Sequence, residues 1–206
     1  MTRVIVLFAA AVVLLGIGAG ALIVMNGTKK DIFADCRRGA IAGGSAQIGG
    51  PFELVDGDGL TVSDADVITR PTLVYFGYTF CPDICPTDLS RNAIAADLLA
   101  ERGVDAGQVF VTIDPERDTP DVVKDFTGFI HPDLRGLSGS VEAIADAASK
   151  YRVLFQKSDD DEEFYLMSHS TFTYLMVPGH GFLDFFQSTA TAEDVADSVS
   201  CFASKL

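Results

Sequence analysis

An α/β sandwich is the fold class this chain predicts, on three observations. Two apolar runs, residues 72–78 and 108–113, read as buried strands. Each is followed by a helix-forming stretch, and a hairpin pattern and a capped helix close the chain.

The elements can be justified in order from residue 51. Phe52 to Val55 and Leu60 to Val62 flank Asp56-Gly57-Asp58-Gly59, a hairpin signature. Thr72 to Tyr78 is the first buried strand, and Ile84 to Glu101 is a helix ended by Gly103. Gln108 to Ile113 is the second buried strand, ending in Asp114-Pro115. Thr119-Pro120 has the form of an N-cap with proline at the first helical position. Behind it Val122, Val123, Phe126, Phe129 and Ile130 fall on one helical face. Ser140 to Lys150 reads as a helix, Tyr151 to Phe155 as a strand, and Ser158 to Glu163 as a solvated acidic loop. Thr171 to Val177 and Phe182 to Phe186 form a second hairpin around Pro178-Gly179-His180-Gly181, and Thr191-x-x-Asp194 caps the last helix. Strand–helix–strand–helix, then hairpin and helix, is the order of a thioredoxin-like sandwich.

Before the domain, Val4 to Met25 is apolar or glycine throughout. As a helix rising ~1.5 Å per residue it spans ~33 Å, enough to cross a bilayer. Residues 1–25 are therefore expected to be a transmembrane anchor, with a signal peptide cleaved after Ala19-Gly20-Ala21 as the rival. Residues 26–50, rich in Gly and Ala, read as a tether, and 51–206 as the domain. No Arg- and Ser-rich leader precedes the apolar run, which points to a bacterial membrane protein. Lys29, Lys30, Arg37 and Arg38 follow the run and only Arg3 precedes it; by the positive-inside rule the domain would stay cytoplasmic. The net charge of −14 argues against nucleic acid and anionic lipid as partners.

The stretch Thr79-Phe80-Cys81-Pro82-Asp83-Ile84-Cys85-Pro86 puts two thiols where the first buried strand ends and its helix begins. Sites in open α/β sheets form beyond the carboxyl ends of the parallel strands. A helix N-terminus favours thiolates through its dipole and free N–H groups, and if residues 81–85 are helical the two sulfurs share a face. Three readings stand: a structural disulfide, a redox pair, or a grip on a soft metal such as Cu(I) or Zn. One residue more than C-x-x-C weakens the redox reading. A metal would need a third ligand. His131 and His180 lie in turns and read as surface residues. His169 precedes the strand expected to pack beside the cysteine loop, and could be either a ligand or a polar strand-start residue. Arg117, remote in sequence from Cys81, gives little support to a peroxidase. Cys36 and Cys201 could pair, stapling the tether to the last helix, which needs an oxidising compartment; otherwise they are a free thiol and a small buried hydrophobe.

Cys81-Pro82-Asp83-Ile84-Cys85-Pro86, Ile113-Asp114-Pro115-Glu116-Arg117-Asp118-Thr119 and His169 ahead of Tyr174-Leu175 together resemble the Sco/SenC family. The likeness covers most of residues 50–206. It implies a membrane-anchored, thioredoxin-like copper chaperone for cytochrome c oxidase, with Cys81, Cys85 and His169 as copper ligands. It also implies delivery to the copper A centre of oxidase subunit II, with upstream periplasmic copper donors, and so a single-pass protein of the bacterial inner membrane whose domain faces the periplasm, against the charge rule. The alternative is a thiol–disulfide oxidoreductase that reduces the subunit's cysteines before metallation. One departure stands out. The family usually has Asp before the histidine, and here it is Ser168, so a carboxylate to orient the imidazole is either absent or supplied from elsewhere. Asp114, at the end of its strand, is one candidate; otherwise it is a turn residue before Pro115.

Overall fold

The computed structural model describes residues 31–37, 48–158 and 165–206. The expected anchor at 1–25 and most of the tether lie outside these residues. No helix among them is long and apolar enough to cross a membrane. Residues 35–206 form one compact unit; of the unit formed by residues 1–34, only 31–34 are described.

Nine strands and five helices are described in the compact unit. In chain order they are β1 Glu53–Asp56, β2 Thr61–Ser63, α1 Asp64–Val67, β3 Thr72–Gly77, α2 Ile84–Glu101, β4 Gly107–Thr112, α3 Pro120–Ile130, β5 Leu134–Ser138, α4 Val141–Lys150, β6 Phe155–Lys157, β7 Met167–His169, β8 Thr173–Val177, β9 Gly181–Phe186 and α5 Ala192–Ala203. Seven strands make one sheet in the order β2-β1-β5-β4-β3-β8-β9; β6 and β7 form a separate two-stranded ribbon. β3, β4 and β5 run parallel, and β8 joins β3 antiparallel. Every residue of β3, β4 and β8 is buried, as strands covered on both faces must be. Tyr75, Phe76 and Phe110 are wholly buried at the centre. α2 packs on α5, and α3 lies across β5.

Local signals explain most boundaries. Thr119 accepts the Val122 amide and Pro120 begins α3, as expected. Ser140 caps α4 through Ala143, and Thr191 with Asp194 closes a capping box on α5. Several expectations need correction. Val122 and Phe129 do not face the core: they are 40% and 92% exposed, and the helix buries Val123 and Thr127 instead. No strand runs from Tyr151 to Phe155. Arg152 takes a left-handed φ of 57°, which turns the chain, and the strand starts at Phe155. β8 starts at Thr173, not 171.

β5 went unrecognised because Leu134-Arg135-Gly136-Leu137-Ser138 alternates poorly. Its glycine is a packing requirement. A Cβ on Gly136 would run into Val123 Cγ1 and lie 3.0 Å from Thr127 Cγ2, so its absence lets α3 sit close on the sheet.

Cys36 and Cys201 are bridged, with Cα atoms 5.6 Å apart and a sequence separation of 165. The segment Ala34–Cys36 is a single 3-10 turn, and the Cys36 bond to α5 ties this part of the tether to the domain. Closing so long a loop limits the unfolded chain. Replacing both cysteines by Ser is expected to lower the unfolding free energy by about 2–4 kcal/mol, measured by urea denaturation without reductant. An unchanged midpoint would mean that the bridge does not brace the fold.

Candidate metal centre

β3 ends at Gly77, and Tyr78 to Phe80 lead the chain over the sheet edge to Cys81. α2 then starts at Ile84, which puts Cys85 in its first turn and Cys81 outside it. The two sulfurs therefore do not share a helical face. Instead Cys81 Sγ accepts the Cys85 amide at 3.3 Å. Asp83, at the N-cap position, makes no side-chain cap, so the sulfur takes over that task and meets the positive end of the helix.

His169 arrives from the other side, on β7, opposite Phe155 of β6. Its Nδ1 lies 2.9 Å from the Ser170 carbonyl. A carbonyl only accepts, so the proton sits on Nδ1 and the Nε2 lone pair faces the thiols. Nε2 is 3.3 Å from Cys85 Sγ. The ligand atoms of Cys81, Cys85 and His169 all lie within 4.8 Å of one another. Tyr75 and Tyr78 stand edge-on to the imidazole, with ring centroids 6.3 and 5.9 Å away. These rings wall the site with apolar surface.

The thiols divide their work. The Cys85 thiol donating to Cys81 holds Cys81 far below the ordinary thiol range, helped by the amides of Cys85 and Asp83, against the opposing effect of burial. Cys85 is pushed up by the neighbouring Cys81 sulfur and by complete burial. The pair holds one proton between two sulfurs and is ready to lose it to a cation.

Asp114 does not orient the imidazole. It accepts Arg117 Nε and the Tyr165 hydroxyl, each at 2.6 Å, and the Ser170 carbonyl does the orienting. Arg117, though distant in sequence, stacks 4.8 Å over the Phe80 ring beside Cys81. His180 is exposed, and His131 pairs with Asp97 at 3.3 Å. Neither is part of the three-residue group.

Three features escaped sequence reasoning. A Cβ on Gly77 would lie 2.9 Å from Cys85 Sγ, so only glycine leaves the sulfur its place. Its position at the carboxyl end of a buried strand was the available signal. Asp118, fully buried, accepts Thr79 N at 2.9 Å, Thr79 Oγ1 at 2.5 Å and Thr112 Oγ1 at 2.6 Å, which fixes the cysteine loop. Lastly, α2 buries Asp88 and Arg91 3.4 Å apart. Arg91 and Asn92 donate to Thr173 Oγ1 at 3.1 and 3.0 Å, joining the cysteine helix to the strand that follows His169.

A model of SCO1/SenC matches residues 41–204. The chain belongs to the SCO1/SenC family. It is 51% identical over 198 residues to Protein SenC of Rhodobacter capsulatus, covering 96% of this chain and 88% of that one. Among solved SCO1/SenC structures it is similar to Arabidopsis thaliana ScoI with copper bound, at 40% identity and TM-score 0.72, covering 75% of this chain and 98% of that one. Bradyrhizobium japonicum ScoI with copper bound gives 37% identity and TM-score 0.68, over 74% and 98%. The thioredoxin-like α/β fold expected from the element order is the fold of this SCO1/SenC chain.

The thiol pair has a pH signature. In metal-free, reduced protein one thiolate should persist in ultraviolet absorbance well below pH ~8.5, the ordinary cysteine value. The second should appear only above it. Two thiols titrating together near pH ~8.5 would contradict the asymmetry.

Proposed function

We propose that this protein is a copper chaperone that carries Cu(I) on Cys81, Cys85 and His169. The observation that carries the reading is the convergence of two thiols and an imidazole lone pair within 4.8 Å at an apolar sheet edge. Two soft thiolates select a soft ion, and neutral imidazole completes a low-coordinate site. Copper in the Arabidopsis and Bradyrhizobium relatives supports the same cargo here. In this reading the ion is delivered to the copper A centre of cytochrome c oxidase subunit II, after arrival from periplasmic donors.

The reading includes a transmembrane anchor at residues 1–25, a tether at 26–50 and a domain at 51–206 in the periplasm. The Cys36–Cys201 bridge supports an oxidising compartment. Reporters active in a single compartment, fused after Leu206, test this; activity in the cytoplasm would refute the orientation.

A second reading, reduction of the oxidase subunit's cysteines, draws support from the depressed Cys81 thiol. Substitutions separate the two. Cys81→Ser or Cys85→Ser should abolish tight Cu(I) binding, by more than ~100-fold, beyond what outer-shell changes cost. His169→Ala should weaken binding less, yet impair copper A assembly while leaving thiol–disulfide exchange rates nearly unchanged. Copper A assembly that survives His169→Ala but not loss of either cysteine would favour the oxidoreductase.

A further inference from the structure

His169 is carried by a ribbon that does not belong to the main sheet. β6 and β7 pair only with each other, and a two-stranded ribbon is marginal on its own. Phe155 and Met167 lean on the core. Apolar contact of that kind holds a ribbon down without fixing its angle.

Directional contacts to the ribbon's approach converge on one turn, residues 114–118. Arg117 Nη1 donates to the Tyr165 carbonyl at 2.9 Å, and the guanidinium carbon lies 3.5 Å from the centroid of the Tyr165 ring. The Tyr165 hydroxyl donates to Asp114 Oδ1 at 2.6 Å, and Arg117 Nε to Asp114 Oδ2 at 2.6 Å. Tyr165 is 4% exposed and stands four residues before His169. Lys157, on β6, lies 3.7 Å from the centroid of the same ring.

The turn also holds the cysteine side. Asp118 accepts both the amide and the hydroxyl of Thr79, two residues before Cys81. The Arg117 guanidinium lies 4.8 Å over Phe80, the residue that precedes Cys81. One five-residue turn thus grips both pieces of chain that bring thiols and imidazole together.

We infer that Arg117 and Tyr165 are positioning residues of the metal centre. The 114–118 turn locks the His169 ribbon to the cysteine loop, so the imidazole meets the thiols in a preformed geometry. The inference rests on the reading of His169 as a copper ligand. Arg117 acts through its shape: it donates from two nitrogens in one plane and stacks with the face of that plane. Lysine keeps the charge but can reproduce neither feature.

The test uses detergent-solubilised full-length protein carrying Arg117→Leu, Arg117→Lys or Tyr165→Phe, each alone and combined with His169→Ala. Cu(I) affinity is read by chelator competition, and nitrogen in the copper shell by X-ray absorption. Arg117→Leu should weaken Cu(I) binding ~10–100-fold, the usual cost of losing a group that orients a ligand, and should remove the nitrogen signal. Arg117→Lys should behave alike. Adding either to His169→Ala should cost no more than His169→Ala alone, because they act through the same imidazole. In metal-free protein, amides of the ribbon should exchange hydrogen faster while those of β3 and β4 keep their protection. If Arg117→Leu does not fold, Tyr165→Phe, which removes one hydroxyl, carries the same comparison. Wild-type affinity and nitrogen signal in the variants, or losses that add to that of His169→Ala, overturn the inference. A wild-type protein with no copper nitrogen fails differently: it sinks the ligand reading itself.

Discussion

The pairing of β3 with β4 is the constraint from which the rest of the centre follows. Their parallel register runs from Thr72↔Gly107 to Gly77↔Thr112, so both strands end level at one edge of the sheet. The two connections leaving that edge, Tyr78–Asp83 and Ile113–Thr119, are forced to lie side by side. Beyond the Ile113 amide, which donates to the Gly77 carbonyl at 2.8 Å, the ladder stops, so polar groups of the two connections are left to find each other. Asp118 meeting Thr79 and Thr112 is the outcome. Burial keeps the Asp118 carboxyl above the usual carboxylate range, and its three donors offset that cost. The antiparallel pairing of β8 with β3 then brings the chain after His169 to the same edge, where Arg91 and Asn92 clasp Thr173.

In the proposed chaperone, charge is distributed to suit a cation that must also leave. The chain carries a net −14, yet among the described residues no carboxylate joins the thiols and imidazole in the three-residue group. Asp114 is occupied by Arg117, and Asp88 by Arg91 and Ser188. A carboxylate would add a hard ligand and draw hard cations. Keeping the acidic groups paired preserves the softness of the site. Negative charge at the site comes from sulfur, stabilised by the amide of Cys85 at the start of α2.

Much of this was legible in the sequence, and the remainder was hidden for physical reasons. Buried parallel strands announce themselves as apolar runs, and caps at Thr119, Ser140 and Thr191 mark helix starts by local chemistry. β5 was invisible because tertiary contact with Val123 and Thr127 demanded glycine, and a glycine-bearing strand has no propensity signal. The face of α3 was misjudged because periodicity gives a stripe without telling which of its flanks meets the sheet. At the centre, chemistry singled out Cys81 and Cys85 and left His169 open; the resemblance to Sco/SenC added the imidazole, and the fold brings the three ligand atoms within 4.8 Å of one another. The orienting group, the Ser170 carbonyl, was not legible, because a backbone carbonyl leaves no trace in residue identity; Asp114 was only one candidate for that role. The role of Arg117 was hidden too: sequence distance to Cys81 says nothing about two loops that a strand register makes neighbours.

Burial within the three-residue set orders how a bound ion could depart. Cys85 has no exposed surface and sits behind Tyr75, Cys81 is 8% exposed, and His169 is half-buried on a ribbon outside the main sheet. An incoming thiolate has to approach from solvent, so it meets the Cys81 and His169 side first. In the proposed copper site the imidazole would be the neutral ligand, and its departure would leave no unpaired charge on the protein. Cys81 has the lower thiol pKa, and the Cys85 amide still stabilises its sulfur once the ion has moved. Cys85 is the opposite: released deep in the core as a thiolate it would be strongly disfavoured, so it recovers a proton as copper leaves. In the proposed chaperone, transfer therefore runs from the exposed rim inward, and proton uptake at Cys85 accompanies its last step.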